Sequence, residues 1–237
     1  MGSGIYIAAA GAVAQSNALD VTAANVANAS TTGYQGAQVV FSEVLSRTRS
    51  PDTTMVTAGT VSLVGDPGPI TDTDNQLDIA LDGPGYFAVD TPSGVRWTRA
   101  GALTTDAGGR LMTADGLPVR GKGGVPLVIP GDAEQITIDE AGAISTERGP
   151  VGQLELAQFA AGALAREGAT LYAATAAPLA GTPPAVIQNA LEGSNVNVVR
   201  GVVELVQVSR TYESLLRVIE GFKAIESRAA RDLGGPR

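Results

Sequence analysis

The sequence contains no cysteine and no histidine. These absences exclude disulfide bridges, thiolate nucleophiles, zinc sites built from Cys or His, and proton relays through imidazole. Aromatic residues are also scarce, at 4% of the chain, so a folded core must be built largely from Ala, Val, Leu and Ile. We therefore expect a protein that is not an enzyme and that has no catalytic, cofactor-binding or metal-binding residues.

Positively charged residues are also fewer than negatively charged ones. The chain carries 16 Lys and Arg against 24 Asp and Glu, a net charge of −8, and this sign disfavours nucleic acid as a partner. The apolar run nearest the N-terminus, Ile5 to Ala14, has ten residues, whereas a membrane span needs about 20. No Lys or Arg precedes that run, so we expect neither a cleaved secretory signal nor a transmembrane helix.

The first part of the chain is almost free of charge, because Asp20 is the only charged residue among the first 42. Its apolar and small residues recur at alternating intervals of four and three, the heptad spacing of a helix that packs against another helix. This predicted seam consists of Ile5, Ala9, Ala12, Ser16, Leu19, Ala23 and Val26. A second, mostly apolar row lies on another face, and we therefore expect several neighbours around the helix.

The C-terminal part, from about Val198 to Asp232, is predicted to be a second helix. Charged residues occupy one side of it, as in an ordinary amphipathic helix. Its apolar seam again has heptad spacing and consists of Val198, Val202, Leu205, Ser209, Tyr212, Leu216 and Ile219. This helix is the predicted partner of the first one, and their pairing would bring the two termini together.

Between the helices, residues of roughly 60–187 are typical of short strands bounded by Gly, Pro or Asp. The runs are QLDIALDG, GYFAVDT, GVRWTRAG, PLVIPG, EQITID and GQLELAQF. TPSG (91–94) and Asp115–Gly116 are predicted turns. TTDAGGRLMT (104–113) and TIDEAGAIST (137–146) share a pattern that fits two similar hairpins, in which Asp starts the turn and Gly takes a positive φ.

These patterns predict an α+β fold, with N- and C-terminal helices forming a coiled-coil layer beside a central, mostly antiparallel all-β domain. The predicted divisions are 1–42 for the N-terminal helix and its polar signature, 43–60 for a connector, 61–187 for the β domain, and 188–237 for the C-terminal signature and helix. We expect the polar, Pro-containing connector to lack stable structure of its own.

Several short motifs resemble functional sites without completing them. DTDNQLD (72–78) alternates Asp as a calcium loop does, but Leu77 and Gly83 stand where an EF-hand needs Gly and Glu. RGKGG (120–124) lacks the spacing of a phosphate loop. Trp97 and Tyr86 could stack against a sugar, but their strand-like surroundings favour a place in a small β core. We expect turns and core residues at all of these positions.

Polar residues are concentrated at the inner ends of both helices. Asn25, Asn28, Ser30, Thr31, Thr32 and Gly33 lie where the first helix ends. Their side chains either only stop the helix or also bond to neighbouring subunits, and the composition leaves both interpretations open. LEGSNVNVV (191–199) precedes the last helix, and Ser194 or Asn195 is its predicted N-cap.

Three motifs of the sequence resemble motifs of a known protein family. ANVANASTTGY (24–34) resembles the N-terminal signature of flagellar rod, hook and hook-associated proteins, and ALEGSNVNVV (190–199) resembles their C-terminal signature. GPGYFAVDTPSGVRWTRAGALTTDAGGRLMTADGLPVRG (83–121) is similar to their central β segment. The motifs occur in the family's order, and the resemblance covers nearly the whole chain. The short connector and modest length look most like the proximal rod protein, with a distal rod or hook-type subunit as the alternative.

The resemblance implies a structural subunit of the bacterial flagellar basal-body rod, which crosses the periplasm. Such a subunit assembles helically with its own copies and other rod proteins into a torque-transmitting drive shaft around an export channel. The resemblance also implies delivery by the flagellar export apparatus without a cleaved signal. It implies no cofactor, nucleic acid, small-molecule substrate or membrane span.

The residues predicted to form the assembly interface come from both helices and both signatures. They are Ile5, Ala9, Ala12, Leu19, Ala23, Asn25, Val26, Asn28, Thr31, Thr32, Gly33, Tyr34, Gly193, Ser194, Asn195, Asn197, Val202, Leu205, Tyr212, Leu216 and Ile219. An alternative of another class is a secreted glycan-binding or hydrolytic β protein, which would need convergent carboxylates or exposed aromatic residues around Trp97.

Overall fold

The computed structural model describes residues 2–45, 54–181 and 184–233, and these form two compact units. The helical unit contains helices α1 (Gly2–Ala27) and α2 (Val198–Leu233) with strands β1 (Ala37–Leu45) and β2 (Thr54–Leu63). The β unit consists of Asn28–Gly36 and Val64–Val196. The α+β class is confirmed, as are the helices at both ends, whereas the coiled-coil layer remains a prediction.

In the helical unit, α1 and α2 run antiparallel. A Cβ added to Gly4 would lie 3.0 Å from Cζ of Phe222, and one added to Gly201 would lie 2.7 Å from Cγ2 of Val26. Gly11, in the middle of α1, faces Leu215. As the position advances along α1, the contacted position therefore moves back along α2 by the same number of residues.

This register pairs small side chains with large ones. The heptad line through Gly4 and Gly11 also contains Ala8, Ala18 and Thr22, all three of which are buried. The line of α2 that faces it carries bulky side chains: Leu205, Val208, Tyr212, Leu215, Ile219 and Phe222. Close approach of two helices needs small residues on at least one of them, and α1 supplies these residues.

The predicted seam of α1 is displaced from this contact line by one residue. Among its members only Ala12 is buried, Ala23 is exposed, and the others are partly buried. In α2 the predictions at Leu205, Tyr212 and Ile219 coincide with the contact line. The displacement has a physical cause, because Ala occurs on every side of α1 and apolar periodicity cannot choose between adjacent faces.

Strands β1 and β2 form an antiparallel hairpin, with Ala37 opposite Leu63 and Leu45 opposite Thr54. The side chain of Asn25 ties this hairpin to α1, because its Nδ2 donates to the Ala37 carbonyl (2.7 Å) and its Oδ1 accepts from the Ala37 amide (3.0 Å). Residues 43–45 and 54–60, expected to be an unstructured connector, are therefore strand residues. Positions 46–53 of that connector lie outside the described residues.

Helix α2 begins at an asparagine cap. The backbone amide of Arg200 donates to Oδ1 of Asn197 at 3.0 Å, which satisfies one of the free amides of the first turn. The expectation that Ser194 or Asn195 caps this helix is wrong. The Ser194 hydroxyl instead accepts from the Val196 amide at 3.2 Å, and Asn195 makes its hydrogen bonds within the β unit.

The β unit is built from short antiparallel strands. The strands are β3 (Ile70–Asp72), β4 (Ile79–Asp82), β5 (Tyr86–Thr91), β6 (Gly94–Thr98), β7 (Leu103–Thr105), β8 (Leu111–Thr113), β9 (Ile136–Ile138), β10 (Ala143–Thr146), β11 (Gly149–Gln153), β12 (Leu156–Ala157), β13 (Leu164–Glu167), β14 (Leu171–Ala174), β15 (Ala185–Gln188) and β16 (Ala190–Glu192). A five-stranded sheet has the order β12-β5-β6-β14-β13 and a three-stranded sheet the order β11-β10-β9, while β15-β4, β16-β3 and β7-β8 are pairs.

The core of this unit is almost entirely aliphatic, as the composition predicted. Its buried cluster contains one aromatic side chain, Phe87, among aliphatic residues that several strands and loops contribute: Ile79, Leu81, Leu103, Leu111, Val119, Leu127, Ile129, Ile138, Ile144, Leu154 and Val186. The run PLVIPG buries Leu127 and Ile129 without forming a regular strand. The two prolines of that run lack the amide hydrogen that a strand ladder needs.

The two repeated motifs form the predicted hairpin turns. Asp106 Oδ1 accepts from the Gly108 and Arg110 amides, each at 2.8 Å, and Gly109 has a φ of 78°. In the second copy Asp139 Oδ1 accepts from the Ala143 amide at 2.7 Å, and Gly142 has a φ of 77°. The shared pattern therefore encodes the same side-chain-stabilised turn twice.

Two glycines of α2 give a matched test of the helix contact. At the exposed Gly221 an added Cβ meets nothing within 4 Å, so Gly221→Ala is expected to stabilise the helical unit by up to about 1 kcal/mol through helix propensity. Gly201→Ala places its methyl against Val26 and is expected to destabilise the unit by about 1–2 kcal/mol. Urea unfolding followed by far-UV circular dichroism measures both. Equal stabilisation by the two substitutions would contradict the observed register.

Candidate assembly surfaces and polar signatures

The polar segment Asn28–Gly36 is an integral part of the β unit. The amide of Gly33 donates to the Glu192 carbonyl at 2.7 Å. The φ of Gly33 is 67°, and an added Cβ would lie 2.4 Å from the backbone nitrogen of Ala100. Only glycine fits this position, because it combines a left-handed conformation with backbone contact.

Tyr34 and Gln35 carry this segment into the interior. Each is only 2% exposed. The guanidinium of Arg166 lies over the Tyr34 ring, 4.5 Å from its centroid, and donates to the Gln35 carbonyl. The hydroxyl of Tyr86 donates to Gln35 Oε1 at 2.7 Å. The segment is thus held by a cation–π contact with Tyr34 and by hydrogen bonds to the backbone carbonyl and the side chain of Gln35.

Asn195 joins three stretches of backbone. Its Oδ1 accepts from the Gly36 amide at 2.6 Å, and its Nδ2 donates to the carbonyls of Val64 (3.1 Å) and Asp66 (2.8 Å). Its own amide donates to the Tyr34 carbonyl at 3.3 Å. Asn195 therefore uses its side-chain acceptor and both side-chain donors to close the unit where Asn28–Gly36 and Val64–Val196 meet.

A buried ion pair lies beside this junction. Arg99 donates through Nε (2.7 Å) and Nη2 (2.6 Å) to Glu192 Oε2, and both side chains are only 2% exposed. Arg99 Nη1 also donates to the carbonyls of Gly83 (3.1 Å) and Gly85 (2.8 Å), while Glu192 Oε1 accepts from the Gly68 amide (2.9 Å). A buried pair is tolerated only when its remaining donors and acceptors are satisfied in this way.

The aromatic residues of the β unit are grouped near the same segment. Tyr86 contacts Tyr172 edge-on with ring centroids 5.4 Å apart, and Trp97 contacts Phe159 at 4.9 Å. Trp97 is buried, as predicted, and so offers no exposed platform for a sugar. Burial raises the pKa of the Tyr172 hydroxyl to about 12. Burial also raises the pKa of Tyr86, against the opposing effect of the nearby Arg99 charge.

Side chains of the DTDNQLD motif (72–78) bond to one another. Asp78, the last residue of DTDNQLD, is buried and accepts hydrogen bonds from the side chains of Thr73 and Asn75, both at 2.9 Å. Within residues 2–45, 54–181 and 184–233, no group of three His, Cys, Asp or Glu is placed to hold a metal ion. None of the described helices is long and apolar enough to cross a membrane.

The predicted interface residues of the two signatures fall into two groups. Gly33, Tyr34 and Ser194 are buried inside the β unit. The others are partly or fully exposed: Asn25, Asn28, Thr31, Thr32, Gly193, Asn195 and Asn197. The structure therefore brings the signatures together within one subunit and leaves their part-exposed members at its surface.

The predicted interface residues of the two helices differ in how far they are buried. Ile5, Ala9, Leu19, Val26, Leu205, Tyr212 and Ile219 are partly buried, Ala12 is buried, and Ala23, Val202 and Leu216 are exposed. Several large apolar side chains outside the predicted interface are also exposed in the helical unit. These are Tyr6 (71%), Ile7 (42%), Val13 (58%), Val199 (75%), Val203 (53%), Val206 (43%), Val218 (45%) and Ile225 (55%).

Sequence comparisons complete this description. Three family models match in order along the chain: "Flagella basal body rod protein" at residues 5–35, "Flagellar hook protein FlgE/F/G D1 domain" at 80–146, and "Flagellar basal body rod FlgEFG protein C-terminal" at 187–231. The flagellar basal-body rod protein FlgF of Rhizobium meliloti is 30% identical over 241 aligned positions, which cover 100% of both chains. The chain belongs to the flagellar basal-body rod protein family.

Other rod proteins are similarly close to this family member. FlgG of Agrobacterium fabrum is 33% identical, with 97% of this chain and 98% of the relative aligned. FlgF of Escherichia coli is 33% identical, with 98% and 97% aligned. The family resemblance noted in the sequence is confirmed, and the family is one of structural rod subunits.

The buried ion pair can be tested against an exposed one. Glu192→Gln leaves the Arg99 guanidinium buried without a carboxylate, and it is expected to lower the free energy of unfolding of the β unit by about 3–5 kcal/mol. The control is Glu167→Gln, because Glu167 is 49% exposed and pairs with Arg96 at the surface; the expected loss is under about 1 kcal/mol. Urea unfolding followed by fluorescence of the single Trp97 gives both values. Similar losses would show that burial does not control the energetics of these pairs.

Tyr172 makes the stability of the β unit sensitive to alkaline pH. Its pKa is raised to about 12 in the folded protein, against about 10 in an unfolded chain. This difference in pKa contributes about 2–3 kcal/mol to the free energy of unfolding. The contribution is complete below about pH 10 and is lost as the pH rises from about 10 to 12. The Tyr172→Phe variant should lose that much less stability over this interval, whereas Tyr6→Phe, at an exposed site, should match the wild type. Parallel pH profiles for all three proteins would contradict this assignment.

Proposed function

We propose that this chain is a subunit of the flagellar basal-body rod that assembles with its own copies and with other rod proteins into the drive shaft. The observation that carries the proposal is the exposed apolar surface of the helical unit. Tyr6 is 71% exposed and Val199 is 75% exposed, and Asp20 is the only charged residue of α1. Contiguous exposed apolar surface marks sites of protein association.

The two units have different tasks in this proposal. The β unit buries its own core and its own ion pair, so its fold needs no neighbour. The helical unit leaves large apolar side chains in water unless other subunits cover them. Assembly is therefore driven by the helices, while the buried signature residues Gly33, Tyr34 and Ser194 shape the β unit. Predicted residues that are partly or fully exposed, such as Thr32 and Asn197, contact neighbouring subunits.

The proposed location is supported by the relatives, which are named as basal-body rod proteins. In this proposal the subunit lies in the part of the rod that crosses the periplasm and reaches it through the flagellar export apparatus, without a cleaved signal. A proximal position is favoured over a distal one because only residues 37–63 intervene between the polar segment Asn28–Gly36 and the rest of the β unit.

A charge on the outer face of α1 tests this function. Ala23 is exposed in the single subunit, so Ala23→Glu should change the stability of the isolated protein by less than about 0.5 kcal/mol. In a rod the same carboxylate would be buried among apolar helices without a partner, which is strongly unfavourable. We expect Ala23→Glu to abolish motility and to be missing from purified basal bodies.

The matched control is Ala161→Glu, which adds the same charge at an exposed turn of the β unit and should leave motility intact. A chain lacking residues 2–27 should likewise be missing from basal bodies while its β unit remains folded. Deletion must not extend to residue 34, because Gly33 and Tyr34 belong to the β unit. Normal motility and basal-body incorporation of Ala23→Glu would refute the proposed function.

A further inference from the structure

The last residues of the β unit pair with residues near its beginning. Strand β15 lies antiparallel to β4, with Val186 opposite Leu81. Strand β16 lies antiparallel to β3, with Leu191 opposite Thr71. Among the described residues, neither β3 nor β4 is paired with any other strand. Both pairs are therefore completed by residues 185–196, which we call the closing strap.

The closing strap supplies the carboxylate that pairs with Arg99. Oε2 of Glu192 accepts from Nε of Arg99 at 2.7 Å. Oε1 of Glu192 accepts from the Gly68 amide at 2.9 Å, although the two residues are 124 positions apart. The strap also places Val186, which is 2% exposed, in the buried aliphatic cluster. Before the strap docks, Arg99 lacks this carboxylate, and burial of an unpaired charge is unfavourable.

The closing strap also holds the first segment of the β unit. The amide of Gly33 donates to the Glu192 carbonyl at 2.7 Å, and the amide of Asn195 donates to the Tyr34 carbonyl at 3.3 Å. The side chain of Asn195 accepts from the Gly36 amide, 159 positions earlier in the chain. The contacts of the strap thus join residues at opposite ends of the unit's sequence.

The hairpins of the same unit are joined locally instead. Strand β7 pairs with β8, with Leu103 opposite Thr113, and β10 pairs with β11, with Ala143 opposite Gln153. The conformational entropy lost when two residues meet increases with the number of residues between them. Contacts between residues close in sequence therefore form fastest. This comparison favours a folding order in which the hairpins form early and the strap docks late.

We propose that the closing strap docks after the rate-limiting step of folding, so that the β unit remains open until residues 185–196 have joined it. Unfolding follows the same steps in reverse, and the strap is the first part of the unit to leave. Its departure removes the carboxylate from Arg99 and exposes the core at Val186, which destabilises the remainder of the unit. A subunit carried through an export channel opens its β unit by this step. That consequence rests on the proposed function, whereas the order of docking does not.

Two valines of the same buried cluster provide a matched test. Val186 lies in the closing strap and Val119 lies between β8 and β9, and each is 2% exposed. The Val119 amide donates to the carbonyl of Leu111 at 2.9 Å, a partner close in sequence. Val186→Ala and Val119→Ala remove the same methyl groups from the full-length chain at equal burial. Stopped-flow dilution into and out of urea, followed by fluorescence of the single Trp97, measures the unfolding and folding rates of the β unit.

Val186→Ala is expected to raise the unfolding rate about tenfold and to leave the folding rate within about twofold of the wild-type value. Val119→Ala is expected to lower the folding rate at least about threefold, because its local contacts are already formed at the rate-limiting step. The proposal would be overturned if the two variants divided their effects between the two rates in the same way, or in the reverse way.

Asn195→Ala tests the strap at a second, partly exposed position. It removes the side-chain hydrogen bonds to Gly36, Val64 and Asp66. We expect unfolding to become at least about threefold faster while the folding rate stays unchanged. Slower folding with an unchanged unfolding rate would show that the strap is already docked at the rate-limiting step, which would overturn the proposal.

These rates are measured on the purified chain and do not depend on the rod function. Failure of the rate predictions would overturn the late docking of the strap and leave the rod function standing. Absence of the wild-type chain from purified basal bodies, together with the expected rates, would overturn the rod function and leave the docking order standing.

Discussion

A helix that presents almost no charge to water must be covered by something else, and α1 is such a helix. One of its faces is covered within the subunit, where Gly4, Ala8 and Gly11 face the bulky side chains of α2. Its outer side still exposes Tyr6 and Val13. In the proposed function other subunits cover that side, and the composition of α1 then couples the order of the helical unit to assembly.

The β unit satisfies the opposite condition, because its core, ion pair and polar junction are completed within one chain. Arg99 and Glu192 have their donors and acceptors satisfied, and Asn195 ties both ends of the unit together. Several residues of the family signatures are therefore needed for the fold of the β unit itself. Gly33 needs a positive φ at a backbone contact, and Tyr34 fills a buried position beneath Arg166. Signature positions can therefore be structural even when the protein's function is assembly.

Features that depend on local chain geometry could be predicted from the sequence. The two Asp-to-Gly hairpin turns, the helices at both ends and the family belong to this group, because spacing and turn chemistry encode them. Features that depend on contacts between residues far apart in the sequence could not be predicted. Arg99 and Glu192 are 93 residues apart, and the α1 seam is ambiguous because Ala occurs on all its faces. The β1–β2 hairpin was missed because the polar, Pro-containing sequence between its two strands, SRTRSPD (46–52), led to the prediction of a connector over the whole of 43–60.

Hydrogen exchange tests the dependence of α1 on its neighbours most directly. Amides of α1 and of the β unit are compared in the isolated subunit and in purified basal bodies. We predict that the α1 amides become much more protected in basal bodies, while those of the β core at Phe87 and Leu111 are protected equally in both samples. Equal and strong protection of α1 in the isolated subunit would contradict it, because the helix would then need no other subunit to cover it.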